Sequence, residues 1–380
     1  MIASQTQLDE LVSRLRGEKQ LAIDCEMDSM YAYRTSLCVV QIGWPEGEAL
    51  IDAMVDFDRS GLGELFADPD VVTVFHGGEN DIGLMRSRWG LDFEGVFDTM
   101  AASQVLGHDG VGLAALLDRH FEVKVSKKFQ KADWRVRPLP EPQAEYARLD
   151  VRYLISLRDL LLEELTSLGR VEEAESEFRR IAAANLEEKP FDPDNWARIK
   201  AAKELDPKKR ATLRELYIAR DEIACALDRA PYRVMHESTL VDLAVRQPKN
   251  VGDLRRLRGV SKHLRSEHVD RLLEAIAKGR KVTEIETPKR KRGWRGDRFG
   301  GARMEPDQII LFDRLRAWRQ KRADTRGVAV ARVATNALLA QIARDAPAST
   351  EGLGAVSGME DWRVREYGDE ILGVVQDGAE

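Results

Sequence analysis

A chain of 380 residues, 43% apolar and 33% charged, is long enough for two or three domains that each bury a core. No stretch approaches the roughly 18 apolar residues of a membrane span, and the N-terminus "MIASQTQLDELVSRLRGEKQ" lacks the blocks of a secretion signal, so a cytoplasmic location is expected. The net charge of −6 divides into −11 over residues 1–170 and +5 over 171–380, and the three scattered cysteines form no CxxC, which argues against a zinc site or a disulfide framework.

Leu8, Leu11, Val12 and Leu15 mark an amphipathic first helix. "QLAIDCEM", "SLCVVQIGW" and "EALIDAM" read as three strands, and the short links between them imply antiparallel hairpins. A strand "VVTVF" follows, then helices from about Glu79, from Asp98 and from Gly112, and one long helix from about Pro142 to Leu168. Strands first and helices after them predict a mixed α/β sheet covered by helices.

From about residue 170 the pattern is helical, and it repeats at a fixed offset of 99 residues. Leu216 matches Leu315, Arg220 matches Arg319, Pro248 matches Pro347 and Gly259 matches Gly358. A register held over so long a span predicts two copies of one small helical domain. Between them lies "TPKRKRGWRGDRFGGARM", basic and glycine-rich, which reads as a flexible linker, either a solvated spacer or a basic strand that touches phosphates.

Asp24 and Glu26 stand two apart on a strand, so their carboxylates share a face. Two adjacent acids repel unless a cation sits between them, and hard oxygen ligands suit Mg²⁺ or Mn²⁺. In "VVTVFHGGENDIGLM" a strand enters a Gly-Gly turn and then a helix whose first turn carries Asp81. His76 ends that strand and reads as a structural histidine bonded to the turn. Tyr146 and Asp150 stand four apart on the long helix and project from one side of it.

The order Asp24-x-Glu26, His76-x4-Asp81 and Tyr146-x3-Asp150 resembles the three motifs of the DEDD superfamily of 3′→5′ exonucleases, in its tyrosine subclass. The segment "SKKFQKADWRVRPLPEPQAEYARLDVRYL" is similar to that of the bacterial ribonuclease D family, and the two repeats resemble the HRDC domain. The resemblance implies an α/β exonuclease domain, with an RNase H-like mixed sheet and helices on both faces, followed by two small all-α HRDC domains. It implies two divalent cations, with Asp24 bridging them, Glu26 and Asp150 on the water-activating one and Asp81 on the other. Tyr146 would orient the attacking water. A free phenol titrates near pH 10, so positioning is preferred over proton abstraction.

The expected divisions are an exonuclease domain at 1–170, a helical connector at 171–205, a first HRDC domain at 206–282, a basic linker at 283–304 and a second HRDC domain at 305–380. Lys127, Lys128, Lys131, Arg135 and Arg137 precede the third motif, with Phe129 and Trp134 interleaved. The basic residues are candidates for RNA phosphates, while Trp134 reads as packed in the base of the loop. The expected substrate is RNA, in this family the 3′ ends of tRNA precursors, with 5′-mononucleotides released. The positive C-terminal half is expected to strengthen binding of larger RNAs. No membrane partner and no nucleotide cofactor are expected. A DEDD-type DNA exonuclease carries the same four acids and is the first alternative; a non-catalytic RNA-binding protein on the same fold is the second.

Overall fold

Alternating side chains define the two faces of a five-stranded sheet in the computed structural model, which describes residues 1–186, 190–260, 264–282, 285, 288 and 304–377. After helix α1 (Gln5–Leu15) come β1 (Gln20–Met27), β2 (Leu37–Trp44) and β3 (Gly47–Asp52), then helix α2 (Ser60–Phe66), β4 (Val72–Phe75), helix α3 (Glu79–Trp89) and β5 (Gly95–Asp98). The strand order is β3-β2-β1-β4-β5. The hairpins β1–β2 and β2–β3 are antiparallel, whereas β1–β4 and β4–β5 are parallel, so the sheet is mixed.

Four further helices follow: α4 (Thr99–Leu106), α5 (Leu113–Phe121), α6 (Glu141–Arg152) and α7 (Leu154–Ser167). The continuous helix expected from Pro142 to Leu168 is broken at Tyr153, whose φ of −106° and ψ of −3° end α6. The two pieces have different partners, since α6 lies across β1, β2 and β3 while α7 meets β1, β4 and α4. Neither a proline nor a glycine marks the break. Strand β5 and helix α2 also went unread, one being four residues long and the other seven.

Ala22 pairs with Gly43, Asp24 with Gln41 and Glu26 with Val39, so all six side-chain positions point to the face that α6 covers. A Cβ at Gly43 would lie 3.3 Å from both the Val151 Cβ and its carbonyl oxygen, so glycine there lets the end of α6 close on the sheet. The alternate residues Leu21, Ile23, Val40 and Ile42 point the other way, into the same core as Leu8 and Leu11 of α1 and Leu62 and Phe66 of α2.

No strand occurs after β5 among the described residues. Helix α8 (Val171–Ala182) sends Ala174, Phe178 and Ile181 into the first core. The stretch expected as a connector at 171–205 is therefore shared, because Trp196, Ile199 and Ala202 belong to the next core.

The repeat is visible in the backbone. Helices α9 (Pro207–Ala226), α10 (Pro231–Val234), α11 (Glu237–Arg246) and α12 (Val251–Arg255) precede α13 (Ser266–Lys281). Helices α14 (Pro306–Arg326), α15 (Val330–Val333), α16 (Asn336–Asp345) and α17 (Thr350–Gly354) begin 99 residues later, followed by α18 (Asp361–Gln376). The buried Arg220 donates to the Met235 carbonyl at 3.2 Å, and Arg319 donates to the Ala334 carbonyl at 2.8 Å. Gly259 and Gly358 have φ of 91° and 84°, a conformation that a side chain would strain. Most of the expected basic linker, 283–304, lies outside the described residues.

Candidate active site

Strand β1 delivers Asp24 and Glu26 to the covered face, and α6 brings Asp150 and Tyr146 down onto it. One oxygen from each of Asp24, Glu26 and Asp150 can be chosen so that all lie within 4.8 Å of one another. Such a set occurs once among the described residues. These three acids and Tyr146 line a cavity of about 770 Å³, together with His76, Gln130, Lys127 and Lys131. Asp81 lies outside the close triplet, buried in the first turn of α3, where its charge still acts on Glu26.

Burial pushes the Glu26 carboxyl up to about 10, and the charges of Asp24, Asp150 and Asp81 add to the effect. Burial likewise raises Asp24, and it raises Asp150 with help from Asp24. Asp81 is raised by burial, then by Asp24 and Asp98. A set of hard oxygens that resists ionisation on its own fits a divalent cation, whose charge would remove the repulsion.

Folded pKa values above those of free carboxyls mean that folding takes up protons, so the stability these groups contribute is full below the ordinary carboxylate range. It is lost as pH rises toward 10, where Glu26 ionises. In EDTA the melting temperature should fall between about pH 5.5 and about pH 8.5, and Mg²⁺ or Mn²⁺ should restore most of the loss at the higher pH. A melting temperature that rises over that window in EDTA, or that ignores the metals, would contradict the electrostatic picture.

Tyr146 is half-buried between Phe129 and Trp134, with ring centroids 6.0 and 6.1 Å away. Burial, then Asp150, Glu26 and Asp24, push its phenol further above the usual range, so the group holds its proton at neutral pH. That favours orienting water over abstracting a proton. His76 hydrogen-bonds Thr99 Oγ1 through Nδ1 at 2.9 Å. Because the Thr99 hydroxyl donates to the Phe75 carbonyl at 2.9 Å, Nδ1 is the donor. Burial lowers this imidazole to about 4, which keeps it neutral.

The basic cluster divides. Lys127 and Lys131 line the cavity, and the exposed Lys128 sits 5.3 Å from the centroid of Phe129. Arg135 is forked onto Asp133 at 3.0 Å. Arg137 corrects the expectation of a phosphate contact: it grips the buried Asp52 at 2.6 and 2.7 Å and also donates to the Cys38 and Trp134 carbonyls. Trp134 is 1% exposed and packs with Cys38, Val39, Leu50, Ala144 and Ala147. Arg137→Ala should destabilise the fold by about 3 kcal/mol by leaving Asp52 buried and unpaired. Lys131→Ala should leave the melting temperature unchanged and weaken RNA binding. Equal thermal stability for Arg137→Ala and wild type in a melting scan would return Arg137 to the substrate side.

In the sequence Asp98 marks only a helix start. It is fully buried, caps α4 through Ala101 N at 2.8 Å and accepts Gly78 N at 2.8 Å. It therefore ties down the Gly-Gly turn from which α3 and Asp81 spring. An aspartate before threonine at a helix start, "FDTMAA", was the available signal.

A model described as 3′-5′ exonuclease matches residues 1–166, and one described as HRDC domain matches 209–276 and 308–375. Ribonuclease D of Jannaschia sp. is 30% identical over 378 residues, which cover 97% of this chain and 93% of that protein. The chain belongs to the ribonuclease D family. The exosome complex exonuclease RRP6 of Saccharomyces cerevisiae is 31% identical over 280 residues, 70% of this chain but 38% of that protein, so the chain spans well under half of that relative. The crystal structure of the catalytic core of RRP6 from Trypanosoma brucei superposes with a TM-score of 0.66 at 27% identity, covering 73% of this chain and 78% of that one. Family membership extends across the sheet and the helical repeats alike.

Proposed function

We propose that the chain shortens RNA from its 3′ end by hydrolysis, one nucleotide at a time, releasing 5′-mononucleotides, and that 3′-extended tRNA precursors are among its substrates. The observation that carries this reading is the convergence of Asp24, Glu26 and Asp150 with Tyr146 in one cavity edged by Lys127 and Lys131. Family membership supports hydrolytic 3′-5′ exoribonuclease activity.

In this reading Asp24, Glu26, Asp81 and Asp150 hold two Mg²⁺ or Mn²⁺ ions, which would supply the positive charge that activates water and stabilises the leaving oxygen. Asp24 would help to hold both. The protonated Tyr146 fixes the position of the water that attacks the last phosphorus. The bond from phosphorus to the 3′ oxygen breaks, that oxygen gains a proton, and the departing nucleotide keeps the phosphate on its 5′ side. Lys127 and Lys131 neutralise the phosphates nearest the cut. The helix ends and cores described above are consistent with one nuclease domain followed by two HRDC domains, and a cytoplasmic location is part of this reading.

The test is a 3′-extended tRNA beside a DNA oligonucleotide of matched sequence, with products resolved at single-nucleotide steps. Stepwise removal of the RNA extension with little loss of DNA is expected. Preferential digestion of the DNA would favour a DNA exonuclease instead.

A further inference from the structure

The loop between β1 and β2, residues 28–36, begins two residues after Glu26 and has no regular secondary structure. Its Met30 lines the cavity. Within the nuclease unit it is held by Asp28, which accepts Ser36 N at 2.7 Å, and by the Tyr31 hydroxyl, which donates to the Lys131 carbonyl at 2.8 Å.

Its other side is held by the first helical repeat. The Tyr232 hydroxyl and Arg233 Nε both donate to the Met30 carbonyl, at 2.6 and 2.5 Å. The Arg233 guanidinium lies 3.7 Å from the Tyr31 ring centroid, and Ala230 N donates to the Tyr31 carbonyl at 2.9 Å. Tyr33 donates its hydroxyl to Asp221 at 2.7 Å and packs against the core of that repeat.

The second repeat serves as an internal control. Positions that hold the repeat fold are shared, as with Arg220 and Arg319 or Gly259 and Gly358. Two of the positions that grip the loop are not: 99 residues on, Asp221 becomes Gln320 and Tyr232 becomes Ala331. Arg233 becomes Arg332, which pairs instead with Glu177 at 2.7 Å. The fold does not need Asp221 or Tyr232, so their contacts answer to the loop.

We propose that the first helical repeat braces the active-site wall from outside, with Asp221, Tyr232 and Arg233 as positioning residues that fix loop 28–36 and, through Met30, the seat of the terminal nucleotide. This rests on the cavity being the exonuclease site. A loop that lines a reacting centre without secondary structure of its own takes its rigidity from what grips it, and small displacements at such a centre cost large factors in rate.

The test uses the full chain with Asp221→Gln and Tyr232→Ala together, the residues that the second repeat itself carries, so the repeat fold is expected to stand. Tyr33→Phe, which removes one oxygen from the loop side, is the second variant. Turnover of an unstructured tetraribonucleotide is compared with that of a tRNA-sized RNA, and amide hydrogen exchange is followed over residues 28–36. The double variant should lower kcat on the tetranucleotide roughly 10-fold, with KM changed less than about 2-fold, and should speed exchange at Tyr31 and Ser36. Tyr33→Phe should shift both in the same direction by less. Unchanged kcat and exchange, with KM raised only for the long RNA, would overturn the proposal and make this surface an RNA contact. No turnover by the wild type would instead remove the exonuclease reading, while the exchange measurement would still decide whether the repeat braces the loop.

Discussion

Asp24→Asn abolishes turnover in Mg²⁺ at neutral pH while RNA binding is kept or tightened. Asp24 is the member of the cluster whose charge acts on Cys25, Glu26, Asp81, Tyr146 and Asp150 alike, which fits a shared ligand at the centre of the site. Its loss weakens the hold on both proposed cations at once, so a rate loss on the order of 10³-fold or more is expected. Binding survives because Lys127 and Lys131 are untouched and one negative charge fewer faces the phosphates. Single-turnover hydrolysis beside a binding titration checks both halves. Substantial residual rate in Mg²⁺ would remove Asp24 from the centre of the chemistry.

Tyr146→Phe lowers kcat about 10²–10⁴-fold and leaves KM and the melting temperature close to wild type. The ring is already packed between Phe129 and Trp134, so phenylalanine fills the same space and only the hydroxyl is lost. A free phenol holds its proton at neutral pH, so the contribution assigned to Tyr146 is to orient water. An orienting role predicts a wild-type pH–rate profile with no limb assignable to a tyrosine base. A variant with wild-type kcat would reduce Tyr146 to a packing residue.

The parts legible in the sequence were those with a short spacing rule. Alternation put Asp24 and Glu26 on one face, and helical spacing put Tyr146 and Asp150 on one side of α6; the fold then joined the two pairs. The 99-residue offset set out the helical repeats down to their buried arginines. What stayed hidden depends on long-range partners. The break at Tyr153 arises because α6 and α7 cover different strands, and no local breaker announces it. Arg137 looked like its basic neighbours until Asp52, 85 residues earlier, claimed it. Asp98 reads as an ordinary cap unless the Gly77–Gly78 turn is known to fold over it. The grip on loop 28–36 joins Met30 to Tyr232 and Arg233 some 200 residues away, at separations of 202 and 203. It also adds to the expectation that the helical half strengthens binding of larger RNAs, since part of that half grips a loop of the nuclease unit.

The central claim is tested most directly on a 5′-labelled, unstructured RNA incubated with wild-type protein in Mg²⁺ or in EDTA, with products resolved at single-nucleotide steps. The account predicts a ladder that shortens from the 3′ end, mononucleotides bearing 5′ phosphates, and no product in EDTA. Internal cuts, shortening from the 5′ end or undiminished activity in EDTA would contradict it.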